Sequence, residues 1–197
     1  MINIFEKVSY KQFEYSIIKY LLSSNVNACS VQDELRYSND KDASLNKDLI
    51  KEIYDDIKLP QRSTRYSVGY DFFSPFNIKF PHCSTKKIII PTGIKCNLPS
   101  LLDMMDKPNI YPFLALYPRS SYGINYGFKI QNTVGIIDCD YYNNTDNEGH
   151  ILLAFSVESD NFEMKKNNKM CQGIIQYAIT TDTVDELRTS GIGSTGM

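Results

Sequence analysis

The chain has 197 residues, with 21 Lys plus Arg against 23 Asp plus Glu, for a formal charge of −2. That balance offers no basic field for gripping nucleic-acid phosphates, and an apolar share of 42% is enough for a packed core, which excludes wholesale disorder. Five scattered cysteines (Cys29, Cys83, Cys96, Cys139, Cys171) include no C-x-x-C pair, and the two histidines, His82 and His150, lie far apart. Neither a disulfide framework nor a structural zinc site is expected, and reduced thiols in a cytoplasmic protein are the plain reading.

The opening MINIFEKVSYKQF interrupts its apolar residues with charge, so it reads as a short strand rather than a secretion signal. Ser9 stands three residues before Gln12, the spacing of a capping box. The helix it starts places Phe13, Ile17, Tyr20 and Leu21 on one face. Residues 23–44 are polar and read as loop. A second helix is expected from about Ser44, with Leu45, Leu49, Ile53 and Ile57 in register and Pro60 as its stop. Residues 1–59 thus form a strand and a small helical extension. Beyond Pro60, short apolar runs (KKIIIPTGIKC, IYPFLALY, HILLAFSV, GIIQYAIT) alternate with Gly, Pro, Asn and Asp clusters. Such runs predict a mainly β body over residues 60–180, a sandwich or barrel. No stretch approaches the ~20 apolar residues of a membrane helix. Residues 181–197, rich in Gly, Ser and Thr, read as a flexible arm.

Four stretches could carry chemistry. In YPRSSYG, Arg119, Ser120 and Ser121 put a guanidinium fork beside two hydroxyls, either an anion site or an ordinary polar turn. In NTVGIIDCDYYNN, an apolar run leads into Asp138, and strand alternation would put Asp138 and Asp140 on one face with Cys139 opposite. One of these carboxylates could act as a general base on water, or both could hydrogen-bond turn amides. In SVGYDFFSP, Asp71 sits among aromatic residues at the start of a strand. In KMCQGIIQ, Gln172 interrupts an apolar strand and must find partners there.

Taken in order, GYD, PRSS, N-T-V-G-I-I-D-x-D-Y, the strand carrying Gln172 and R-x-S-G-x-G-S-T-G closely resemble the five motifs of the trimeric dUTP pyrophosphatases, the dUTPases. DYYNNTDNEGHI is similar to the form found in Gram-positive bacteria and their phages. The resemblance runs from about Leu59 to Gly196 and leaves the helical extension outside it.

This resemblance implies a homotrimer of jelly-roll β-subunits with shared active sites, hydrolysing dUTP to dUMP and pyrophosphate with Mg2+ held by the triphosphate and water rather than by protein ligands. Asp138 would activate the water that attacks the α-phosphorus. Asn132, Gly135, Ile137 and Asp138 would line the nucleoside pocket, with Tyr141 flat against the deoxyribose, leaving no room for a 2′-hydroxyl. Arg119, Ser120, Ser121, Gln172 and Arg188 would hold phosphates, Gly193, Ser194 and Thr195 would wrap them, and Asp71 would support the site. Where relatives carry a phenylalanine lid, this chain offers Ile192 in a motif one residue shorter. Two alternatives remain at this stage: a dCTP deaminase, alone or combined with dUTPase activity, and a nucleotide-gated regulatory protein whose added helices bind a protein partner.

Overall fold

The computed structural model describes residues 4–22, 35, 46–79, 87–104, 109–159, 162–182 and 184. In chain order its elements are β1 (Phe5–Lys7), α1 (Tyr10–Ile17), α2 (Lys47–Asp55), β2 (Gln61–Arg62), β3 (Tyr70–Phe73), β4 (Ile78–Lys79), β5 (Ile88–Pro91), β6 (Ile94–Cys96), α3 (Pro99–Leu102), β7 (Ile110–Pro118), α4 (Ser120–Tyr126), β8 (Lys129–Ile130), β9 (Gly135–Ile137), β10 (Leu152–Ser156), β11 (Glu163–Met164) and β12 (Lys169–Ile179). Every strand pair is antiparallel, in the orders β1-β6, β5-β10-β8, β11-β4 and β2-β3-β12-β7-β9. A mainly β, jelly-roll body is thus met, although the described strands form four sheets and do not close into one barrel.

The two longest apolar runs make the spine. IYPFLALYP becomes β7 and pairs with β12 from Ile110↔Ile179 to Pro118↔Cys171. Alternation sends Leu114 and Leu116 into the core with Ile137 of β9, while Phe113 and Tyr117 are half-buried on the other face. That second face continues into exposed Tyr111 and Ile136.

The helices before Pro60 dock on this body. Ser9 caps α1, its hydroxyl accepting from the Gln12 amide at 3.1 Å. The return half of the capping box is not made, because the Gln12 side chain donates instead to Ser16 Oγ at 3.1 Å. Phe13, Ser16 and Ile17 form the buried stripe. Leu21 is buried as expected, whereas Tyr20, expected beside it, is only half-buried where the helix widens into a π-type turn at Ile18–Leu22.

α2 begins after Asn46, whose side chain accepts from Leu49 N at 3.0 Å, and buries Ile50 and Ile53. It ends at Asp55, well before Pro60, where Lys7 Nζ donates to the carbonyls of Tyr54 and Asp55 at 2.9 and 2.8 Å. A lysine is favourable there, since the last carbonyls of a helix lack partners and carry partial negative charge. Leu45 and nearly all of the stretch read as a 23–44 loop lie outside the described residues. Phe13, Ile17, Leu21, Ile50, Ile53 and Ile57 join Phe72, Ile90 and Leu114 in one apolar core, so the extension and the β body are packed as one. No helix among the described residues is long and apolar enough to cross a membrane.

One titratable side chain lies inside that junction. His150 is fully buried between α1, the β5–β6 corner and the loop before β10. Gly93 N donates to its Nε2 at 2.8 Å, so Nδ1 carries the proton and donates to Ser16 Oγ at 2.9 Å. Burial lowers its pKa from the ordinary 6.5 to about 3. The unfolded chain therefore takes up a proton near pH 6.5 that the folded chain refuses until far lower pH, and stability falls as pH drops through that window. Urea unfolding should lose about 2 kcal/mol between pH 7 and pH 5, a slope that His150→Gln should largely flatten.

Candidate active site

Asp71, buried in β3, is the hub of the first cluster. Its Oδ1 accepts from Arg119 Nη1 at 2.6 Å, and its Oδ2 meets Ser63 Oγ at 2.6 Å and Lys169 Nζ at 2.8 Å. Burial pushes this carboxyl upward, but Lys169, Ser63 and Arg119 together outweigh it and hold the group below the ordinary carboxylate range. The predicted turn at YPRSSYG is a short helix. Arg119 is its extended N-cap residue, and Ser120 and Ser121 are exposed in its first turn. Gln172 sits between Asp71 on one side and Tyr117 on the other. A Cβ on Gly69 would come within 2.8 Å of Gln172 Oε1, so the glycine makes room for the amide. Asp71, Arg119, Ser120, Ser121 and Gln172 are thus brought together, with two positive charges balanced on one carboxylate.

The second cluster follows β9. Asn132 is exposed in the turn before the strand, and Gly135 and Ile137 are buried within it. The expected alternation through Asp138 and Asp140 is not found, because the strand ends at Ile137. Asp138 is extended (φ −78°, ψ 164°) and precedes a 3-10 turn, Cys139–Tyr141. Asp138 and Asp140 are both exposed. The turn directs Cys139 inward, where its thiol donates to Pro112 O at 3.1 Å, and burial with the neighbouring carboxylates pushes its pKa up to about 11. Cys96 and Cys171 are buried and shifted upward as well. All three thiols stay protonated and are poor nucleophiles at neutral pH.

Tyr141 is enclosed rather than open. Only 2% of it is exposed, and its hydroxyl donates to His150 O at 2.9 Å while accepting from Asn147 Nδ2 at 2.8 Å. Asn144 Nδ2 donates to Tyr141 O and to Asn147 Oδ1, both at 2.8 Å. Asn147 Oδ1 also accepts from Gly149 N at 3.0 Å. At Gly149 φ is +77°, and a Cβ would stand 2.6 Å from Tyr141 O, so only glycine fits. NNTDNEGH is therefore an asparagine-built cage around one tyrosine.

The two clusters lie at opposite ends of β7. Ile137 pairs with Leu114, which sets Asp138 level with Phe113, whereas Arg119 follows the far end of the strand. At ~3.3 Å per residue the separation is about 20 Å. Within one chain the two clusters do not meet. Arg188, Ile192, Gly193, Ser194 and Thr195 lie outside the described residues.

Comparison with known proteins decides what this arrangement belongs to. The family model of the dUTPases matches residues 55–197. The chain belongs to the dUTPase family. A deoxyuridine 5′-triphosphate nucleotidohydrolase of Lactococcus lactis is 34% identical over 145 residues, covering 71% of this chain and 89% of the relative. One from fowlpox virus is 30% identical over 158 residues, covering 75% of this chain and 96% of the relative. Among solved structures, a Streptococcus mutans dUTPase superposes with a TM-score of 0.52 at 28% identity, covering 64% of this chain and 89% of its own.

Sequence reasoning passed over Lys169 and Ser63, which complete the dUTPase chain's Asp71 cluster. Lys169 is three residues before Gln172, which in a regular strand faces the other way. A register shift between Lys169 and Cys171 turns it to the same carboxylate. Asp71→Asn should leave Arg119 and Lys169 uncompensated and cost roughly 1–3 kcal/mol of stability at pH 7. A lowered carboxylate pKa stabilises only above the ordinary value of 3.8, so the gap between variant and parent in urea melts should close as pH falls below about 4.

Proposed function

We propose that this chain hydrolyses dUTP to dUMP and pyrophosphate, with the water activated by Asp138. The observation that carries this reading is the family match across residues 55–197, which spans both clusters. Asp138 leaves a short strand in extended geometry and is exposed at its end, where a carboxylate can take a proton from water. Water oxygen forms a bond to the α-phosphorus, its proton passes to Asp138, and the bond from that phosphorus to the bridging oxygen breaks. Pyrophosphate departs with the bonding electrons.

Arg119, with Ser120, Ser121 and Gln172, is assigned to the phosphates. The carboxylate of Asp71 fixes the guanidinium in place. Asn132, Gly135 and Ile137 are assigned to the uracil side of the pocket. Tyr141 is assigned to the sugar side of the pocket, held in place by the surrounding loop. Arg188, Gly193, Ser194 and Thr195 are assigned to the arm over residues 181–197 that covers the phosphates, with Ile192 as its lid.

A base and a phosphate clamp that act on one triphosphate must lie within a few ångströms of its phosphorus atoms. In a single chain they are about 20 Å apart along β7. This supports a site completed by neighbouring subunits of a homotrimer, as does the exposed apolar surface at Tyr111, Ile136, Tyr177 and Ile179. Mg2+ fits the donors: Asp138 and Asp140 are exposed oxygen donors at one turn, suited to meeting an ion's waters rather than caging it. When bound to the triphosphate the ion neutralises phosphate charge and favours in-line attack.

Pyrophosphate release from dUTP, dTTP, dCTP and UTP tests the reading, with turnover expected on dUTP and abolished by a chelator. Asp138→Asn should lower kcat by ~10²–10⁴ with dUTP binding retained, and wild-type turnover in that variant would sink the base assignment. Sedimentation equilibrium should give three times the chain mass. A monomer with full activity would remove the shared-site argument.

A further inference from the structure

The cage around Tyr141 is anchored to the helical segment that precedes the family match. Two contacts run from α1 into the loop. At its first turn, Ser9 N and Ser9 Oγ donate to the two carboxylate oxygens of Glu148 at 2.8 and 2.5 Å. On its buried face, Ser16 Oγ accepts from His150 Nδ1 at 2.9 Å, and Gln12 steadies that serine from the turn before. The other ring nitrogen of His150 is held by Gly93 N at 2.8 Å, and the carbonyl of His150 receives the Tyr141 hydroxyl at 2.9 Å. One histidine thus joins a helix, a strand corner and the tyrosine.

Glu148 and Gly149 both have positive φ, at 59° and 77°, so this loop turns back sharply, and it is held by its own turn hydrogen bonds, by asparagine side chains and by α1 rather than by a strand ladder. Such a segment is the part of a site whose position depends on its supports. We propose that α1 is a positioning element for nucleoside selection, with Ser16 and His150 as positioning residues that hold the Tyr141 loop in place. The proposal rests on Tyr141 facing the sugar in the reading above. Loosening the loop leaves Asp138 untouched but weakens the fit to a deoxyribose and the exclusion of a 2′-hydroxyl. The helical segment then contributes to choosing the substrate without touching it.

The test uses the full chain with Ser16→Ala, and Ser16→Thr to restore the hydroxyl. A second support is removed by Glu148→Asn, which tolerates positive φ but is too short to reach Ser9. For Ser16→Ala, KM for dUTP should rise about tenfold with kcat within twofold, and the preference for dUTP over UTP should fall by a similar factor, the scale of one lost hydrogen bond. Ser16→Thr should recover most of both, and Glu148→Asn should shift KM in the same direction. A role confined to folding would lower the active fraction and hence kcat, leaving KM and selectivity as they were, and that result overturns the proposal. Backbone amide exchange over residues 141–150 gives an arm independent of turnover. Exchange should quicken in Ser16→Ala and in Glu148→Asn, and unchanged protection in both overturns the coupling. If the parent chain fails to hydrolyse dUTP while exchange still quickens, the functional reading fails and the strut stands.

Discussion

Continuous register pairing locks β7 to β12 from Ile110↔Ile179 to Pro118↔Cys171, and the rest of the molecule is arranged around that ladder. A strand hydrogen-bonded on both sides along its middle has little freedom to bend, and β7 is flanked by β12 and by β9. Its two ends are therefore held at a fixed distance. One end delivers Arg119 to Asp71, and the other supports the turn that follows Ile137. Within one chain this stiff strand keeps the two clusters apart.

The two clusters bury polar groups by different physical means. Around Asp71 the solution is charge: one carboxylate in a low-dielectric setting is compensated by a guanidinium, an ammonium and a hydroxyl. Around Tyr141 it is neutral, with amides, a hydroxyl and an uncharged imidazole each supplying donors and acceptors. The charged arrangement sets Arg119 and Lys169 against a single carboxylate, one positive charge more than it neutralises. The neutral one holds Tyr141 without any charge, in a setting where an unpartnered polar atom would be costly.

Local pattern made much of this legible in the sequence. Ser9 and the Phe13–Ile17 spacing marked α1, and runs bounded by Gly, Pro and Asn marked the strands. The order of five short motifs pointed to the dUTPases, which the family match bears out. What escaped was long-range or one residue out of register. Asp138 and Asp140 follow the strand instead of continuing it, because the chain enters a 3-10 turn after Asp138 that directs Cys139 toward Pro112 O. Lys169 joins Asp71 only through a bulge. Ser16 and His150 are 134 residues apart, and no helical or strand period relates them. A serine on the apolar face of an amphipathic helix was the one local hint, since a buried hydroxyl there needs a partner from elsewhere.

The pairing of β1 with β6 has a consequence for synthesis. Phe5 lies opposite Cys96, and Ser9 meets Glu148, so during synthesis β1 and the start of α1 wait for partners made much later. Until then Phe13, Ile17 and Leu21 have no core to enter, and a short helix alone is marginal in water. Native contacts of such long sequence separation form slowly, and exposed apolar faces invite association in the meantime. The apolar face of α1 is therefore open to other chains until the β body it packs on has been made.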